Sequence, residues 1–108
     1  MEITTRNRLL DHSEEQTGLI FIKCSDDESE RVQKIIGALG LIKKGDFGCV
    51  ELNNYYYMVK EGRLVISLQY KASPISTLTG AKNQIQKHLD SIVEMIRETF
   101  EFLDKPKA

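Results

Sequence analysis

The sequence predicts an α+β domain: an antiparallel β-meander of about four strands packed with two helices, in the order β-α-β-β-β-α and closing on a long C-terminal helix. Three observations carry that reading. Gly18–Cys24 is a short run of branched and aromatic residues, the spacing has a period of two from Phe47 to Tyr70, and helical spacing recurs at two places. One domain accounts for all 108 residues, with 1–17 as an N-terminal segment open between strand and helix and 104–108 as a frayed tail.

In the N-terminal segment, Ile3, Thr5, Asn7 and Leu9 alternate as an edge strand does, while Arg8–Gln16 also suits a short helix. The first clear strand is Gly18–Cys24, apolar on both faces and so expected in the middle of a sheet covered on both sides. Ser25 or Asp26 then caps a helix reaching Leu39, its stripe formed by Val32, Ile35, Ile36 and Leu39. Gly40 supplies the left-handed stop.

The meander rests on two turns. With Asn53 and Asn54 at the centre of one, Leu52 faces Tyr55 and Val50 faces Tyr57. With Glu61 and Gly62 at the other, Val59 faces Leu64, Tyr57 faces Ile66 and Tyr55 faces Leu68. Both registers place Val50, Leu52, Tyr55, Tyr57, Val59, Leu64, Ile66, Leu68 and Tyr70 on a core face. After a Ser, Thr and Pro connector over 71–79, a helix is expected from Gly80 to Leu103, with Ala81, Ile85, Leu89, Ile92, Ile96, Phe100 and Leu103 inward. At about 36 Å it overhangs a six-residue strand of about 20 Å. Val93, Met95 and Phe102 widen its stripe, so either the N-terminal segment and first helix pack there or a second subunit does.

Composition narrows the function. Lys plus Arg number 15 against 16 Asp plus Glu, which removes the general electrostatic argument for nucleic acid. Residues 1–51 hold 7 basic and 10 acidic side chains, with Asp26, Asp27, Glu28 and Glu30 clustered where a helix begins. No apolar run suits a membrane span and no secretory core stands near the start, so a cytoplasmic protein is expected. Cys24 and Cys49 belong to no CxxC pair and read as buried thiols. His12 and His88 stand apart, read as solvated surface residues, and form no metal-binding spacing. GALGLIKKG matches no phosphate-binding glycine motif. The expectation is therefore no catalytic residue, no metal and no cofactor.

The unusual string is Asn53-Asn54-Tyr55-Tyr56-Tyr57-Met58. Tyr56 and Met58 emerge on the face away from the core, where Met58 pairs with Val65 and Cys49. A second structural layer such as the first helix is the economical cover for them, and an interaction patch is the alternative. Stacked RNA has little support, since Lys60 and Arg63 alone flank that strand face. Two function classes follow. One is a non-catalytic protein-interaction module, an inhibitor or immunity-type neutraliser of a basic partner such as a toxin, with Asp26, Asp27, Glu28 and Glu30 steering and Tyr56 and Met58 anchoring. A small dimeric chaperone for a secreted protein, paired through the C-terminal helix, belongs to the same class. The other is a small-molecule-binding domain or enzyme, its pocket between sheet and helices using tyrosine hydroxyls, Asn53, Asn54 or His88.

Overall fold

The computed structural model describes residues 1–8, 15–40, 42–47, 50–60, 62–73 and 77–104. In chain order they form β1 (Glu2–Arg8), β2 (Glu15–Lys23), α1 (Asp26–Leu39), β3 (Gly45–Phe47), β4 (Val50–Lys60), β5 (Arg63–Ala72) and α2 (Leu78–Asp104). The class is α+β as expected. The sheet is antiparallel throughout and ordered β1-β2-β5-β4-β3, five strands rather than about four.

Two strands are added, β1 at the N-terminus and the short β3, while the two expected on either side of Asn53 and Asn54 are one, β4. Ile3 pairs with Ile22 and Thr5 with Ile20, and Ile3, Thr5 and Asn7 turn towards α2. Of the stretch Arg8–Gln16, read as a possible short helix, Arg8, Glu15 and Gln16 are strand, and residues 9–14 lie outside the described residues. The 27-residue α2 is about 40 Å long and lies chiefly over β1 and β2, whose 7 and 9 residues span about 23 and 30 Å, so it still outruns the strands it covers. Helical geometry runs through Asp104, and 105–108 lie outside the described residues.

α1 is made by its ends. The Glu28 N–H donates to Ser25 Oγ at 3.2 Å and the Ser25 N–H donates back to Glu28 Oε1 at 3.1 Å, a reciprocal cap that satisfies two of the first-turn donors. Gly40, with φ of 55°, stops the helix where a side chain would be strained. α2 starts at Leu78, two residues earlier than expected, because Thr77 caps it: the Gly80 N–H donates to Thr77 Oγ1 and the Ala81 N–H to Thr77 O.

The Asn53–Asn54 turn does not exist. β4 runs through it, and the ladder to β5 slips by one residue between Leu52 and Asn54, so Asn53 is the extra residue of a bulge. A two-residue turn and a one-residue bulge both leave Leu52 and Tyr55 on the same face, which is why alternation alone favours neither. The hairpin preceding β4 instead pairs Phe47 with Val50 and Gly45 with Leu52; its connection at 48–49, including Cys49, lies outside the described residues. The second turn is as expected. Val59 faces Leu64, Tyr57 faces Ile66 and Tyr55 faces Leu68, with Gly62 at φ 74° and Glu61 outside the described residues.

The helices pack on one face of the sheet and on each other. Ile20, Ile22, Leu64, Ile66 and Leu68 from the sheet and Ile85, Leu89, Ile92 and Ile96 from α2 are fully buried, with Val32, Ile35 and Ile36 of α1 in the same core. The guanidinium of Arg31 sits 4.7 Å from the Phe100 ring centre, joining the two helices. Val93 and Met95 of the widened stripe are partly buried against the core, while Phe102 is exposed. Gly18 lets α2 approach closely, since a Cβ there would stand 3.0 Å from Leu89 Cδ2.

Candidate functional site

Because both helices share one face, β2 is central in the sheet yet covered on one side only, and the expected second layer over Tyr56 and Met58 is absent among the described residues. Pairing registers lay out the uncovered face as two rows. One runs Thr4, Phe21, Val65, Met58 across β1, β2, β5 and β4; the next runs Arg6, Leu19, Ser67, Tyr56. Leu19, Phe21 and Val65 are half-buried by their neighbours alone, and Ser67 is buried between the larger side chains of its row. Tyr56 and Met58 remain 45% and 55% exposed.

The rows beyond carry more cations than acids, with Glu2 beside Lys23 as the acid among them. Lys23 pairs with Arg63 on one side, and Arg8 follows Arg6 on the other; these residues are exposed. The helix layer has the opposite sign, with nine acidic and five basic residues on α1 and α2 together. A chain that is electrically almost neutral is thus polarised between its two layers.

The same strand has a second peculiarity. Tyr57 and Val59 share the core face with Ile66 and Leu64, but lie beyond the helices' cover and are 40% and 49% exposed. They therefore leave the expected core and join Tyr56 and Met58, so four consecutive residues of β4 present large apolar side chains on both faces. β3 pairs with Val50–Leu52 alone, and no loop among the described residues hydrogen-bonds the outer edge of Asn54–Lys60. Natural sheets usually guard such an edge with charge or proline, and from Leu52 to Val59 there is neither.

The expected acidic group stands elsewhere. Asp26, Asp27 and Glu30 are exposed at the start of α1, in the helix layer. Glu28 is spent on the helix cap, which pulls its carboxyl below the ordinary range, and it lies 3.8 Å from the amino group of Met1. The Cys24 N–H donates to Gly62 O at 3.2 Å, so this acidic start and the Met58 end of β4 occupy the same end of the molecule on different layers.

Comparison with family models, curated proteins and solved structures returns no match. Function rests on this geometry alone.

His88 is not the solvated residue expected. It is half-buried, its Nδ1 2.7 Å from the Tyr70 hydroxyl and its ring edge-on to Tyr70 at 5.7 Å. Burial lowers the His88 pKa and raises that of Tyr70, so both are neutral near pH 7. Open grooves among the described residues include one of about 580 Å³ at Met1, Cys24 and Gly62, one of about 310 Å³ at Thr4, Phe21 and Arg63, and one of about 310 Å³ at Ile3, Arg97 and Phe100. His88, Asn53, Asn54 and the tyrosines are not among the residues that line these particular grooves. Cys24 is half-buried with its thiol pKa raised by burial, the direction of an unreactive sulfur. Among the described residues no three His, Cys, Asp or Glu side chains converge as metal ligands, and no helix is long and apolar enough to cross a membrane.

Tyr57, Val59, Leu19, Phe21 and the cations Arg6, Arg8 and Lys23 are the surface residues that sequence reasoning missed. The available signal was the uninterrupted apolar string Tyr55–Val59, which supplies both faces of a strand where a half-buried strand alternates.

Proposed function

We propose that this chain is a non-catalytic protein-interaction module, an inhibitor or immunity-type protein that neutralises its partner by covering it, and that β4 is its contact strand. The observation behind this reading is the exposure of Tyr56, Tyr57, Met58 and Val59 in one unbroken string. Fully burying one such side chain is worth about 1.5–3 kcal/mol, so four at about half exposure leave roughly 3–6 kcal/mol to a partner. Tyr and Met are also side-chain types enriched at the centres of protein interfaces.

The test is a side-by-side capture from native lysate using wild type, Tyr56→Arg, Met58→Glu and the α1 triple variant Asp26→Asn, Asp27→Asn, Glu30→Gln. Wild type recovers one stoichiometric protein, and the two strand variants lose it while keeping their circular dichroism. The triple variant slows association at low salt if the acids steer. Capture undiminished by both strand variants refutes the reading. Turnover of a small molecule by the purified chain would favour the pocket-bearing alternative.

A further inference from the structure

The outer edge of β4 has a backbone requirement as well as apolar side chains. From Asn54 to Lys60 every alternate N–H and C=O points away from β5, and none has a partner among the described residues. Lysines flank the Asn54–Lys60 stretch on both sides, although β4 itself opens on Val50 and the acid Glu51, which faces Asp46. Lys60 closes the strand, and the exposed pair Lys43 and Lys44 leads into Gly45, which sits opposite Leu52 at the other end. Building on the protein-binding reading above, we infer that β4 accepts an extended segment of the partner as a sixth strand, one with alternating apolar residues flanked by acidic ones.

Charge selects this occupant over a second copy of the chain. An antiparallel two-fold pairing about Tyr57 sets Lys60 of one copy against Asn54 of the other, beside that copy's Lys43 and Lys44, and repeats the clash at the far end. An acidic-ended strand meets lysine at both ends, and its main chain supplies the hydrogen bonds that added strands use for affinity. Tyr57 and Val59 on one face and Tyr56 and Met58 on the other then read its alternate side chains.

The test uses the isotope-labelled full chain and two blocked synthetic peptides of alternating valine and threonine, one ended in glutamates and one in lysines, with amide exchange as the readout. The glutamate-ended peptide should protect alternate amides between Asn54 and Lys60 and bind roughly tenfold tighter than the lysine-ended one at low salt. Lys43→Glu with Lys44→Glu, both at exposed positions, should reverse that preference. Absence of β4 protection at millimolar peptide overturns the inference. So does sedimentation showing a dimer that protects the same amides, or binding that shifts only the Leu19 and Phe21 face. If any of these occurs while Tyr56→Arg still abolishes partner capture, strand addition fails and the protein-binding reading stands.

Discussion

The two halves of β4 share a strand, a pattern and a pairing partner, yet differ in fate. Val50 and Leu52 are 2% and 1% exposed, flanked by β3 and β5 and roofed by the helices, whereas Tyr57 and Val59 on the same face are 40% and 49% exposed. An inward-facing apolar residue becomes core only where another element arrives to cover it. The first half of β4 serves stability and the second is free for recognition, with the Asn53 bulge between them.

The sharpest way to break this division is to delete Asn53. Without the extra residue either Val50 and Leu52 or Tyr55 and its successors must turn to the wrong face. The loss should exceed the ~2–5 kcal/mol of one large-to-small core substitution, read as a collapse of the denaturation midpoint. Leu52→Ala in the covered half should itself cost about 2–5 kcal/mol by urea titration. Gly18→Ala tests the roof: the new methyl meets Leu89 and Ile85, for an expected cost of about 1–3 kcal/mol from overpacking.

A smaller effect is carried by His88, which α2 turns towards Tyr70 of the sheet. Burial depresses its folded pKa, so below about pH 6.5 the unfolded chain takes up the proton first. Its contribution is complete above that pH and is lost as pH falls towards the folded value. His88→Gln should flatten the fall in urea midpoint between about pH 7 and 5 relative to wild type. Least of all, Val59→Ala and Met58→Ala in the uncovered half should each change stability by less than about 0.5 kcal/mol. A cost near that of Leu52→Ala would erase the distinction between the halves.

What could be read from residues alone follows from how local each signal is. α1 was legible to within one residue at its start, where the cap lay between Ser25 and Asp26, and to the residue at its Gly40 stop, because caps act within one turn of themselves. The β4–β5 register was legible because a tight turn and an alternating pattern constrain each other. The bulge was not, since it shares the parity of a turn. Exposure of Tyr57 and Val59 depends on where α1 and α2 stop, a tertiary fact with no mark on β4 itself. The basic rim is assembled by register from Arg6, Arg8, Lys23 and Arg63, scattered over three strands, so its components looked unremarkable in line. Of the anticipated contact residues, Tyr56 and Met58 sit together on the open face, while the acids belong to the opposite layer.

The 3.2 Å tether from Cys24 to Gly62 gives the first turn of α1 and the β4–β5 hairpin a common footing. Tension applied to the hairpin by anything gripping β4 therefore passes directly to the cap at Ser25. A fluorophore placed on the exposed Asp27 would register that pull from outside the contact, turning the helix start into a remote gauge of occupancy.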